Sequence, residues 1–141
     1  MRNVFTFFPV ILFFVVSGTP LFGTPYEEEL LTQLRSSDRE VRLSAADKLG
    51  QLARGQVADQ PPLSSQIVIK LKDIVKKGKS IAEREGAAWA LGEIADPSTV
   101  EFLKRRAKYE ATQGDPGLAL ILEHSSREIC PRVLGSLGSE P

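Results

Sequence analysis

The sequence predicts an all-α fold: a short α-solenoid of three stacked helical hairpins, six helices in all, behind an amino-terminal signal peptide. Two observations carry the solenoid. The stretch Arg42-Leu43-Ser44-Ala45-Ala46-Asp47-Lys48-Leu49-Gly50 returns 42 residues later as Arg84-Glu85-Gly86-Ala87-Ala88-Trp89-Ala90-Leu91-Gly92, and both spell R-x-x-A-A-x-x-L-G. A frame that recurs with a period of roughly 20–50 residues is the mark of a stacked array. Around these copies, capping residues and Pro or Gly breaks divide the chain into helix-length segments. The third observation, an apolar amino-terminal run, separates the signal from the fold.

Met1-Arg2-Asn3 carries one positive charge, Val4 to Val16 is almost unbroken apolar sequence, and small residues follow at Ser17, Gly18 and Gly23. This is the order of a secretory signal. The run is shorter than the roughly 20 residues a spanning helix needs. Cleavage is expected before Thr19 or, preferably, before Thr24, giving a signal peptide over residues 1–23. A retained amino-terminal membrane anchor is the alternative. The expected location is periplasmic or extracellular.

Thr24-Pro25-Tyr26-Glu27 reads as a capped start, with Pro in the first turn and Glu at the third position reaching back. The first helix turns Leu30, Leu31 and Leu34 inward and stops at Ser36-Ser37. Ser37-Asp38-Arg39-Glu40 reads as a second capping box. The second helix then runs to about Arg54, with Gly55 as its stop. Val41, Ala45, Leu49 and Leu52 share one face by helical spacing. Pro61-Pro62 ends a long loop from Gln56, and a third helix is expected over about Ser64–Lys77 with Ile67, Leu71, Ile74 and Val75 buried. Gly78 breaks it, and Ser80 to Glu83 caps the fourth helix, which holds the second copy of the frame. Asp96-Pro97 opens the fifth, marked by Val100, Leu103, Ala107 and Ala111. Gly114-Asp115-Pro116 opens the sixth, expected to end near Glu128. The repeat domain thus covers 24–129, and 130–141 reads as a flexible tail.

The frame V-R-x-x-A-A-x-x-L-G, together with the string L-L-x-x-L-x-S-x-D-x-x-V-R from Leu30 to Arg42, resembles the HEAT repeat family, and within it the HEAT-like repeats of phycobilin lyases. The resemblance implies helical pairs whose second helices line a concave surface. It also implies a ladder between repeats, with Asp38, Arg42 and Arg84 at its positions. Ser80 stands where the second ladder Asp would be. In the last pair the frame lapses, with Ala119 for the Arg and Ser126 for the Leu, as expected of a terminal repeat.

Little in the chain suggests catalysis. His124 is the only histidine and Cys130 the only cysteine, too few for a nitrogen–sulfur metal site. The lone cysteine rules out an intrachain disulfide, and Pro131 beside it suggests an exposed, reactive thiol. No catalytic residues, metal or cofactor are expected. Eighteen Lys+Arg against 18 Asp+Glu give no net charge, which argues against nucleic acid as the partner. Lys70, Lys72, Lys76, Lys77 and Lys79, with Lys104, Arg105, Arg106 and Lys108, nevertheless make basic helix faces.

The face opposite Ala87 and Leu91 carries Ala82, Glu85, Gly86, Trp89 and Glu93, and its counterpart in the first copy carries Glu40, Leu43, Ser44, Asp47 and Gln51. Aromatic residues concentrate at binding hot spots. Trp89, Leu43, Glu85, Glu93 and Asp47 are therefore the candidate contacts for a protein partner with an apolar anchor flanked by positive charge. The expected function is a non-enzymatic, exported scaffold or assembly factor. One alternative is a bilin lyase or lyase subunit, implied by the resemblance. Another is a binder of anionic envelope lipid or polysaccharide through the basic faces.

Overall fold

The side chains of Thr24, Asp38, Ser80 and Asp115 start four of the helices by taking up backbone N–H groups that the first turn leaves unpaired. The computed structural model, which describes residues 23–137 and side chains as far as 132, has six α-helices: α1 (Pro25–Gln33), α2 (Arg39–Ala53), α3 (Ser65–Lys77), α4 (Ile81–Ile94), α5 (Val100–Gln113) and α6 (Pro116–Leu137). The expected signal peptide lies outside the described residues, apart from Gly23. Among the described residues there is no strand, and no helix is long and apolar enough to cross a membrane.

The cap of α1 is the predicted box. Thr24 Oγ1 accepts the Glu27 N–H at 3.2 Å, and Glu27 Oε2 accepts the Thr24 N–H at 2.8 Å. Glu27 is buried, and its other oxygen accepts the Ser64 N–H at 2.7 Å. One carboxylate thereby starts α1 and ties down the end of the long loop before α3. For α2 the expected box is corrected: Asp38, not Ser37, is the cap, accepting the Glu40 N–H at 2.9 Å. Ser80 caps α4 as expected, through the Glu83 N–H. Asp96 caps a single 3-10 turn, Pro97–Thr99, before α5 begins.

Each odd-numbered helix packs on the even-numbered helix that follows it, and α2, α4 and α6 pack side by side as one layer. This is the helical-hairpin stack that the repeat predicts. Leu30 of α1 and Leu34 just after it, Leu49 of α2, Leu71 of α3, Leu91 of α4 and Leu122 of α6 are all sealed in a common core. Five expected core positions differ: Val41, Ile74, Val100 and Ala107 are half-buried and Ala111 is exposed. α6 continues past Glu128 and through Pro131 to Leu137. A proline removes one helical hydrogen bond, but Ile129 is buried just before it and Arg132 just after it holds Glu93 of α4. The boundary read at residue 130 thus falls within a helix.

The repeated glycine is a contact point between repeats. A Cβ on Gly50 would lie 2.8 Å from the Glu93 carbonyl oxygen, and one on Gly92 would lie 3.0 Å from the Ser125 side chain. The carbonyl belongs to a helix backbone that cannot turn aside. Gly50→Val is expected to lower unfolding stability by about 1–3 kcal/mol, the usual effect of overpacking. Denaturant titration checks this, and an unchanged midpoint would mean that α2 and α4 do not approach so closely.

Candidate functional site

The caps put the three layer helices in register. Asp38 and Ser80 cap α2 and α4, and Asp115 accepts the Leu118 N–H at 2.7 Å as α6 opens. Nine residues past these caps stand Asp47, Trp89 and His124. Trp89 and His124 meet edge to face, with ring centroids 5.3 Å apart and planes inclined by 65°. Trp89 is half-buried and packs partly against the core. His124 is exposed.

Where α2, α4 and the start of α6 come together, a cleft of about 300 Å³ opens. Arg39, Arg42 and Leu43 line it from α2, Glu85 and Trp89 from α4, and Gly117 and Ile121 from α6. Leu43, Glu85 and Trp89, three of the five candidate contacts, therefore share one site. The other two do not line it. Asp47 is exposed and accepts a hydrogen bond from Gln51 at 2.7 Å. Glu93 is held by both Arg132 guanidinium nitrogens, at 2.8 and 3.3 Å. That hydrogen bond, against the opposing effect of burial, raises the Arg132 pKa above its ordinary value. Gly86, placed with the strip on sequence grounds, is instead buried, and a Cβ there would meet the Leu34 carbonyl oxygen at 2.6 Å.

The ladder also takes a different form. Asp38 caps α2 and forms no ion pair with an arginine among the described residues. Arg42 instead donates to the Ser36 and Ser37 carbonyls, both at 2.9 Å, and reaches Glu85 of the next repeat at 3.6 Å. Arg84 repeats the arrangement one unit on: its Nε donates to the Val75 carbonyl at 2.9 Å and its Nη2 pairs with Glu110. Helix ends leave carbonyls without partners, and a guanidinium has donors enough to serve them and a carboxylate together. The rungs are Arg42–Glu85 and Arg84–Glu110.

Glu110 is the most enclosed ion-pair acceptor of the stack, buried where α5 turns into α6. Arg106 Nη2 is 2.6 Å from its Oε1, and the Asp115 N–H donates to Oε2 at 3.0 Å. Burial alone pushes its pKa up, but the Asp115 N–H, the Arg106 hydrogen bond and the charges of Arg84 and Arg106 outweigh it, so the carboxyl titrates below its ordinary range.

The cleft is lined by the apolar side chains of Leu43, Trp89 and Ile121, with the exposed Arg39 and the half-buried Glu85 beside them and Arg42 buried behind Glu85. Such a site suits one apolar side chain of a ligand with a polar neighbour. Sequence reasoning missed Arg39, Gly117 and Ile121. Arg39 and Ile121 could have been placed by extending the repeat register, whereas the docking of α6 over the second strip has no signal in the frame. Among the described residues, no group of three or more His, Cys, Asp and Glu could hold a metal ion. Cys130 is exposed.

A family model described as HEAT repeats matches residues 27–113. No curated protein and no solved structure matches the chain.

Proposed function

Because the chain belongs to the HEAT repeat family, whose repeats commonly mediate protein–protein interaction, we propose that it is a non-enzymatic, exported scaffold or assembly factor that holds a protein partner in the cleft between α2, α4 and α6. The observation that carries this reading is the position of Trp89. A half-buried tryptophan beside Leu43 and Ile121, in a cleft to which all three helical pairs contribute, has the composition and placement of a hot spot. Export rests on the apolar run of residues 4–16 and the small residues after it.

Arg39 and Glu85 refine the ligand. Both signs of charge line the cleft, so the partner presents an apolar anchor with polar groups able to meet a guanidinium and a carboxylate, rather than the positive flank expected from sequence.

Trp89 is the only tryptophan, so its emission reports occupancy of the cleft directly. A partner captured from the native envelope is expected to shift that emission on titration. Trp89→Ala is expected to weaken binding by about 2 kcal/mol or more while the variant still melts cooperatively. Capture with undiminished affinity by a folded Trp89→Ala protein would remove the cleft from the interaction.

A further inference from the structure

The outer helices carry a surface of different chemistry. Lys72 and Lys76, one turn apart on α3, both set their ammonium groups over the Phe102 ring of α5, 5.7 and 5.4 Å from its centroid. On α5 itself the Arg106 guanidinium covers the Tyr109 ring at 4.5 Å. Lys76, Phe102, Arg105, Arg106 and Tyr109 line one shallow depression, and Tyr109 is 46% exposed. Arg105 and Arg106 are balanced by Glu101 and Glu110, but Lys72 and Lys76 form no ion pair among the described residues. In a chain without net charge, this is a local concentration of cations around two aromatic rings.

We infer that the α3–α5 face docks on an anionic lipid surface. Lysine and arginine near an anionic leaflet are drawn to it within a Debye length. Tyrosine is amphipathic enough to sit at headgroup level, and the lysine stems can lie along apolar surface while their charges stay in water. Nucleic acid fits less well. Single strands bind by stacking bases on free ring faces, and here Lys72, Lys76 and Arg106 already occupy faces of both rings. The cleft opens on the α2–α4–α6 layer, so docking through α3 and α5 leaves it free for a protein partner, and either site can fail without the other.

The test is co-sedimentation of the full chain with vesicles of phosphatidylcholine alone and of an equimolar mixture of phosphatidylcholine and phosphatidylglycerol. Neutral vesicles measure any uptake by the apolar residues 4–16, and the anionic increment measures the patch. The increment is expected to be large at low salt, to vanish at high salt, and to fall about tenfold or more in Lys72→Glu with Lys76→Glu at an unchanged melting temperature. Should charge reversal disturb folding, Lys72→Gln with Lys76→Gln is the second variant and must still lower the increment severalfold. Equal binding to both vesicles, parental binding by the folded variant, or tighter binding to a single-stranded oligonucleotide than to the mixed vesicles at the same salt would each overturn the inference.

Discussion

Leu91→Ala is expected to lower unfolding stability by about 2–5 kcal/mol, the range for truncating a sealed aliphatic side chain. Leu91 is 0% exposed and lies on α4, the helix that packs against α2, α3 and α6. A cavity there loosens the contacts of the middle pair with both neighbours, and in a stack each pair depends on its neighbours for much of its stability. Leu49→Ala, at the matching position on α2 and equally sealed, should fall in the same range. Leu120 is the control: it is 69% exposed, and its truncation should change stability by no more than about 0.5 kcal/mol. Denaturant titration of the three variants reads the difference. If Leu91→Ala and Leu120→Ala shift the midpoint equally, α4 is not the centre of the core.

The contrast between these leucines shows what the sequence could and could not reveal. Leu49 and Leu91 recur in one frame, so their shared burial was legible as periodicity. Helix starts were legible too, because Thr24, Ser80, Asp96 and Asp115 act through local hydrogen bonds within two or three residues. The Asp38 cap was displaced by one residue, since Ser37 and Asp38 both have the chemistry and only backbone direction chooses between them. The end of α4 carried no glycine: Ala95 takes the left-handed conformation at φ 57°, where an alanine gives no advance sign. Contacts between elements far apart in sequence were least legible. Glu93 looked like a free groove carboxylate until Arg132 of the extended α6 claimed it. Phe102 was similarly unremarkable until α3 placed two lysines on its face.

The stack also separates its two candidate surfaces by layer. Trp89, Leu43 and Ile121 belong to the even-numbered helices, and Lys72, Lys76 and Tyr109 to the odd-numbered ones. The two rungs tie successive repeats together, because Arg42 and Arg84 each serve carbonyls at or just past the end of an outer helix and a carboxylate in the next repeat. Arg42 and Glu85 both line the cleft, so the first rung also ties its α2 wall to its α4 wall.

Glu110→Gln is expected to reveal how much the second rung contributes. The substitution leaves Arg84 and Arg106 without their carboxylate and weakens the acceptor for the Asp115 N–H. Removing one partner of a buried ion pair destabilises by about 3–5 kcal/mol. The lower end applies here, because the arginine side chains retain 15% and 21% exposure. The sign of the pH dependence follows from the lowered folded pKa. Glu110 binds its proton more weakly in the folded state, so its contribution is complete above the ordinary glutamate value of 4.5. The contribution declines as pH falls through that value and is lost below the depressed folded pKa. The parent should therefore lose stability across this acid window more steeply than Glu110→Gln, so that the two melting curves, well separated at neutral pH, draw together in acid. Parallel loss in both proteins would place the acid sensitivity on other carboxylates and leave the Arg84–Glu110 rung without a measurable role.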